Sequence, residues 1–240
     1  MAEYIYGKNT VRQYLKERKK INEIYFSQQF KDKELIDLAS RYHLKIHWVH
    51  SGKLDELSSN GNHQGVVIAV DNFHYYELAE ITANPQQPYP LIVMLDGVED
   101  PHNLGAILRS ADAAGVDGVI IGKHRSAELN ATVAKVSTGA IESVKVHQAT
   151  NLSQTLKQLK EQGYWVVGAE MDEHAQSYET LKYDMPIVLV IGSEGFGLSS
   201  IVQKQCDFKV YLPMYGKVNS LNASVACGIL LYQINLQRHK

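Results

Sequence analysis

The sequence has little of what marks a secreted or metal-dependent protein. Its two cysteines, Cys206 and Cys227, form no CxxC pair and have no neighbouring histidine pattern. Neither a disulfide framework nor a cysteine zinc site is therefore indicated, and we expect both to be buried thiols. The ten histidines show no HExxH or zinc-finger spacing. The sequence predicts no metal site.

Long apolar runs and a strong net charge are also absent. No run approaches the roughly 18 residues that a membrane helix needs, and the first residues lack the basic-then-apolar order of a secretory signal. The formal net charge of −2 gives no general attraction for polyanions. We therefore expect a soluble, cytoplasmic protein with no membrane partner, in which any nucleic acid is held by a local patch.

What is present is an alternation of apolar runs and helical patterns, which indicates an α/β protein. Residues 1–72 predict a small α/β domain, residues 73–89 a linker, and residues 90–240 a larger α/β domain. In the first domain the predicted helices are 8–15 and 34–41, and the predicted strands are 21–26, 44–49 and 66–70. In the second domain the predicted strands are 91–95, 119–121, 165–169, 187–191 and 209–212. The apolar strands of the second domain alternate with helices, which indicates a parallel sheet covered on both faces.

The first domain carries a slight excess of basic residues. Lys16, Arg18, Lys19 and Lys20 form its densest cluster. This cluster is the best candidate for contact with phosphates, although a solvated helix end would look the same.

Residues 187–198, IVLVIGSEGFGL, form an apolar run that ends in three glycines. Glycines let the backbone turn sharply and approach a ligand, and exposed N–H groups there bind oxygen-rich or adenine-bearing molecules. A plain strand-to-helix turn would give the same pattern. A dinucleotide-binding loop normally follows the first strand of its domain, whereas this loop follows a late one. A dehydrogenase is therefore disfavoured, and the absence of GxxxxGK[ST] leaves P-loop binding unsupported.

Two further segments combine turn residues with a following helix. Asn103 is predicted at a helix start after Asp100-Pro101-His102, and Arg109 follows in the same helix. An arginine among Ala, Ile and Leu is costly to bury without an anionic partner. The alternatives are a structural pair with Asp112 or Glu194, or a phosphate-binding or catalytic arginine.

The last segment, residues 213–223, precedes a long helix predicted from about residue 220 to residue 237. Ser220 or Asn219 is expected to cap that helix. Asn222 then falls inside the first helical turn, where a short amide is better suited to contact a ligand or another loop.

Together these segments resemble the SpoU (TrmH-like) family of RNA 2′-O-ribose methyltransferases of the SPOUT superfamily. The resemblance rests on NLGAILRSADAAG at 103–115, IGSEGFGL at 191–198 and LPMYGKVNSLNASVA at 212–226, in that order. Residues 6–11, YGKNTV, and Gln64-Gly65 resemble the amino-terminal substrate-binding domain of the ribosomal-RNA members, which has the α/β fold of the ribosomal protein L30e type.

The resemblance implies a carboxy-terminal trefoil knot, bound S-adenosyl-L-methionine, an RNA partner and a homodimer. It implies that the substrate is a guanosine ribose in the peptidyl-transferase region of 23S ribosomal RNA. The alternatives are transfer RNA as substrate, base rather than ribose methylation, and a non-catalytic RNA-binding or ribosome-assembly protein.

Matching of motif positions also implies the site residues. Those implied to bind the cofactor are Gly192, Ser193, Leu212, Leu221 and Asn222. Those implied to orient the substrate and carry catalysis are Asn103, Arg109, Glu194 and Ser220. The implied reaction is displacement at the sulfonium methyl group by the ribose 2′-oxygen, in which alignment and removal of a proton are the enzyme's tasks.

Overall fold

The computed structural model describes residues 3–19, 21–70, 73–85 and 88–239, and the chain divides into two compact units. Unit 1 contains the residues up to His74 together with Leu129–Ile141, and unit 2 contains Tyr75–Glu128 and the residues from Glu142 onward. In chain order the elements are β1 (Glu3–Tyr6), α1 (Lys8–Lys16), β2 (Ile21–Ser27), α2 (Lys33–Arg41), β3 (Lys45–Val49), α3 (Ser51–Leu57), β4 (Val66–Val70), α4 (Leu78–Thr82), β5 (Leu91–Asp96), α5 (Pro101–Ala113), β6 (Gly118–Gly122), α6 (Ala131–Ser137), α7 (Ala140–Ser143), β7 (Val146–Ala149), α8 (Leu152–Glu161), β8 (Trp165–Ala169), β9 (Gln176–Ser177), β10 (Ile187–Gly192), α9 (Ser200–Gln203), β11 (Phe208–Tyr211) and α10 (Ala223–Arg238).

Unit 1 is built on a mixed sheet in the order β1-β4-β2-β3. Strand β4 pairs antiparallel with β1 and β2, and β2 pairs parallel with β3. All five residues of β4 are buried, so their continuous run VVIAV fits a central strand. The two motifs of residues 6–11 and Gln64-Gly65 meet here, because the Gln64 side chain accepts a hydrogen bond from the Lys8 backbone N–H at 3.0 Å.

Helix α6 completes unit 1 although it lies far along the chain. It packs against β1, and the Lys135 ammonium donates to the Asn62 carbonyl at 3.4 Å and lies 5.3 Å from the centre of the Tyr6 ring. The sequence assigned these residues to the second domain, because no local pattern reveals contacts between segments so far apart. The domain boundaries 1–72, 73–89 and 90–240 stay a prediction.

The predicted phosphate patch is described only in part, since Lys20 lies outside the described residues. Lys16 and Arg18 are exposed. Lys19 pairs with Glu17 at 2.7 Å and lies against the Tyr14 ring, with 17% of its side chain exposed. Lys19 therefore contributes little free charge to the patch.

Unit 2 contains a parallel sheet in the order β7-β6-β5-β10-β8-β11-β9, within the described residues. Its central strands β5 and β10 are almost wholly buried, which their unbroken apolar sequences require. The predicted α/β class and parallel sheet are confirmed. Because the strands are parallel, their carboxyl ends lie along one edge, where ligands bind in such sheets.

Some local predictions were wrong or incomplete. The segment predicted as a linker contains α4, in which Glu77 and Glu80 form a capping box and Ile81 is 1% exposed. One buried apolar residue does not form the repeating apolar pattern by which a sequence indicates a helix. Strands β1, β7 and β9 were also missed, because they have at most four residues and no continuous apolar run.

The cysteines differ from each other. Cys227 is fully buried in α10, and burial raises the pKa of its thiol to about 12. The prediction that Cys206 is buried was wrong, since it is only partly covered at the turn between α9 and β11. Burial still raises its pKa to about 11.

In the part of the chain that the structure describes, no helix has the length and apolar character to cross a membrane, and no cluster of three potential metal-binding side chains occurs.

Candidate active site

A cleft of about 360 Å³ opens at the carboxyl edge of unit 2, where β8, β10 and β11 end. One wall is the turn formed by residues 193–197, which is closed by reciprocal backbone hydrogen bonds between Ser193 and Gly197 at 3.0 and 3.1 Å. Gly192 lies under this turn, and a Cβ there would lie 2.3 Å from the carbonyl carbon of Gly197. Only glycine therefore allows the strand and the turn to approach so closely.

The opposite wall follows β11 and leads to α10. Six of the predicted site residues line the cleft, and they are Gly192, Ser193, Glu194, Leu212, Ser220 and Leu221. Tyr211, Met214 and Asn219 continue the same wall. The lining therefore joins backbone N–H and carbonyl groups to apolar side chains, as small-molecule sites do.

Glu170 is a cleft residue that the sequence analysis missed. Its carboxylate accepts the backbone N–H of Leu198 at 2.8 Å and so fixes the far end of the glycine turn. Glu170 comes directly after β8. Its position at the carboxyl end of a buried parallel strand, where ligands bind in such sheets, could have indicated it from the sequence. Nearby, an ion pair with Lys209 lowers the pKa of Asp172.

The Glu194 carboxylate joins three segments of the chain. It accepts hydrogen bonds from the Asn103 side-chain amide at 3.0 Å, from the Asn222 side-chain amide and from the Ala223 backbone N–H at 3.3 Å. Asn222 also donates to the Asn103 side-chain carbonyl at 2.9 Å. The structure therefore brings together Asn103, Glu194 and Asn222, which are distant in sequence.

The prediction that Ser220 or Asn219 caps the last helix was wrong. The cap is Asn222, whose side-chain oxygen accepts the backbone N–H groups of Ser224 and Val225 at 3.0 and 3.4 Å, and α10 begins at Ala223. Asn222 therefore precedes the helix instead of lying in its first turn. Ser220 remains in the irregular segment before the helix and is exposed at the cleft.

Helix α5 also begins earlier than predicted. Asp100 caps it by accepting the His102 N–H at 2.9 Å, Pro101 is its first residue, and Asn103 lies within its first turn. Proline suits this position because its missing N–H has no partner there in any case.

Of the two alternatives for Arg109, the structure does not show the pair with Asp112 or Glu194. Arg109 is exposed on α5, and it makes no ion pair or hydrogen bond with any residue in the described ranges. The buried residues of α5 include Leu104, Ile107, Leu108 and Ala111, so Arg109 falls on the opposite, solvent-facing side. Its guanidinium donors are therefore available to a ligand.

Comparison with known proteins identifies the family of this chain. Residues 90–232 match the SpoU rRNA methylase family, and residues 4–76 match the family described as RNA 2′-O ribose methyltransferase substrate binding. A Staphylococcus haemolyticus protein assigned to the TrmH family of tRNA/rRNA methyltransferases is 44% identical, over 98% of this chain and 96% of that protein. This chain belongs to the SpoU family.

Solved structures share the fold. The SpoU methyltransferase AviRb from Streptomyces viridochromogenes superposes with a TM-score of 0.81, 24% identity and coverage of 99% of this chain and 90% of that one. An rRNA methyltransferase from Sinorhizobium meliloti with bound S-adenosylmethionine gives a TM-score of 0.77 at 24% identity, over 98% and 87% of the two chains. The SpoU-family chain described here therefore has the SPOUT methyltransferase fold.

The contact between Gly192 and Gly197 generates a prediction. We expect Gly192→Ala to lower the free energy of unfolding by about 1–3 kcal/mol, the usual cost of forcing a methyl group into a filled space. Gly216→Ala is the matched control, because a Cβ at Gly216 meets nothing within 4 Å. Thermal unfolding of both variants checks this, and equal melting temperatures for the two would contradict the close approach.

Proposed function

We propose that this chain is an S-adenosylmethionine-dependent methyltransferase that modifies the 2′-oxygen of an RNA ribose. The observation that carries the proposal is the cleft at the carboxyl edge of the sheet, with the Asn103–Glu194–Asn222 network beside it. Membership of the SpoU family supports the methyl transfer, and the match of residues 4–76 to a substrate-binding family supports RNA as the partner.

The cleft fits the cofactor in size and chemistry. Its volume of about 360 Å³ falls in the range of small-molecule sites. The backbone of the glycine turn and the Leu212 and Leu221 segments offer polar groups beside apolar surface, which suits an adenosine. We assign Gly192, Ser193, Leu212 and Leu221 to cofactor binding, with Asn222 holding the adjoining helix end. When bound, S-adenosylmethionine supplies an activated methyl group.

The remaining predicted residues fit tasks on the RNA side. Glu194 keeps Asn103 and Asn222 in fixed orientation, and Ser220 is exposed at the cleft. Arg109 carries donors that match a phosphate, and a guanidinium remains protonated under nearly all conditions. We therefore assign Arg109 to anchoring the phosphate next to the target ribose, where its charge also favours loss of the hydroxyl proton.

For the substrate we propose a guanosine of large-subunit ribosomal RNA. The description of the matched family as rRNA methylases supports ribosomal RNA, and the guanosine and the large subunit rest on the resemblance of the sequence motifs. The relatives carry a description that covers both tRNA and rRNA, so transfer RNA is the second candidate. We also infer the family's trefoil knot for the segment that contains the glycine turn and β11.

Labelled methyl transfer tests this function. Incubation with S-adenosylmethionine labelled in the methyl group and unmodified transcripts of ribosomal and transfer RNA is expected to label large-subunit RNA at one 2′-O-methyl nucleotide, located by nuclease digestion and mass spectrometry. Labelling of transfer RNA alone would overturn the substrate, and RNA binding without labelling would favour a non-catalytic role.

The role of Arg109 gives a second test. Because Arg109 is exposed and unpaired within the described residues, Arg109→Lys is expected to fold normally and bind S-adenosylmethionine as the wild type does. Lysine retains the charge but not the planar fork of donors, so kcat should fall by about tenfold or more. Calorimetry and single-turnover kinetics measure both quantities, and near-normal turnover would refute a specific guanidinium role.

We further propose a homodimer through α10. Val225, Ile229, Tyr232 and Leu236 are exposed by 39–60%, and their spacing forms one apolar stripe along the helix. A stripe of this kind on a soluble chain indicates a protein partner, and a second copy gives the self-complementary contact that twofold symmetry requires.

Charged substitutions in the apolar stripe test the proposed dimer interface. Tyr232→Asp combined with Leu236→Asp is expected to give a monomer in analytical ultracentrifugation, because two carboxylates would be desolvated at the interface. Ile201→Asp is the control, since Ile201 is 63% exposed on α9, outside the stripe. A monomeric wild type, or a double variant that stays dimeric, would contradict the proposed interface.

A further inference from the structure

The loop that follows β6 carries three consecutive basic side chains, Lys123, His124 and Arg125. All three are exposed, and none forms an ion pair with another residue of the described part of the chain. Several other lysines of this protein are paired, for example Lys45 with Glu23 and Lys160 with Asp207. The loop therefore presents unneutralised positive charge on a chain with a formal net charge of −2.

The backbone holds this loop in place at both ends. The Lys123 N–H donates to the Ala149 carbonyl at 2.9 Å, and the Ala127 N–H donates to the Val98 carbonyl at 2.9 Å. Arg125 has a φ of 53°, a left-handed conformation that costs a residue with a side chain about 1 kcal/mol. Because the Arg125 side chain forms no hydrogen bond or ion pair with the residues that the structure describes, no polar contact of its own accounts for this conformation.

The loop also lies at the edge of the sheet that contains the cleft. Strand β6 pairs with β5, and β5 pairs with β10, so the ends of β6 and β10 are about 10 Å apart at the usual strand spacing. Val98, which holds the loop, belongs to the segment between β5 and α5 that leads to Asn103. The basic loop therefore flanks the Asn103–Glu194–Asn222 network on the side opposite β8 and β11.

The nearby carboxylates do not cancel this charge through direct pairs. Asp100 caps α5. Glu99 and Glu128 are exposed, and within the described residues neither forms an ion pair with the loop. Cations in fixed positions beside a cleft attract a polyanion locally even when the whole chain is weakly acidic.

We propose that residues 123–125 bind the phosphodiester backbone of the RNA strand next to the nucleotide in the cleft. This inference rests on the proposed function for the identity of the polyanion. Lys123 and Arg125 supply cationic donors, and His124 adds a ring N–H donor. Contacts of this kind position the strand without reading its sequence.

The test uses the full-length protein with Lys123→Gln and Arg125→Gln combined. The matched control is Lys157→Gln combined with Lys204→Gln, which removes the same charge from two exposed positions, one on α8 and one after α9. The probe is an unmodified transcript of large-subunit ribosomal RNA, with a transfer RNA transcript as a second probe. Binding is measured over a series of salt concentrations, together with KM, kcat and the affinity for S-adenosylmethionine.

The loop variant is expected to bind RNA about tenfold more weakly and to lose one to two units from the slope of log affinity against log salt, because each lost phosphate contact removes about one unit. KM for RNA should rise, with kcat at saturating RNA and cofactor affinity unchanged, while the control keeps wild-type values. An unchanged KM and salt slope, or an equal loss in the control, would overturn the proposal.

The two proposals fail in distinguishable ways. If the wild type binds RNA but transfers no methyl group, the proposed function fails, while the salt slopes of the two double variants still decide the role of the loop. If the wild type methylates RNA and the loop variant matches it, only the loop proposal fails. If the wild type binds neither RNA probe, the loop proposal is overturned too.

Discussion

The geometry of the site depends on one carboxylate at the amino end of α10. Glu194 receives donors from Asn103 on α5, from Asn222 at the cap and from the backbone of Ala223. A negative charge at this end of a helix is favoured by the aligned peptide dipoles and by N–H groups that lack partners within the helix. The same interaction that stabilises the start of α10 therefore fixes the position of the glycine turn relative to α5.

The far end of α10 is also held by hydrogen bonds. The Asn235 side chain donates to the Ala114 carbonyl at 2.8 Å, which ties the helix to the end of α5. Arg238 donates to the carbonyls of Tyr89, Tyr183 and Met185 at 2.7–2.9 Å. Because both ends of α10 are anchored to segments beside the sheet, one face of the helix stays buried. Its opposite face keeps the exposed apolar stripe.

The sequence predicted the elements whose pattern is local and missed what depends on distant contacts. Strands 66–70 and 165–169 were placed at their observed bounds, since continuous apolar runs mark buried strands. The start of α10 was misplaced because Asn219, Ser220 and Asn222 all have side chains that cap helices, and only the contact with Glu194 selects Asn222. No local sequence pattern indicates that α6 belongs to unit 1.

The choice between the two alternatives for Arg109 bears on mechanism. An arginine buried against Asp112 or Glu194 would have its donors occupied, and its removal would leave an unpaired buried charge. In the structure Asp112 instead accepts a hydrogen bond from Ser143 at 2.5 Å, and Glu194 is occupied by amide donors. Neither carboxylate neutralises Arg109, so its full charge and its planar set of donors face solvent. This arrangement favours an anchor for RNA phosphate, because an exposed guanidinium presents a planar fork of donors that matches phosphate oxygens.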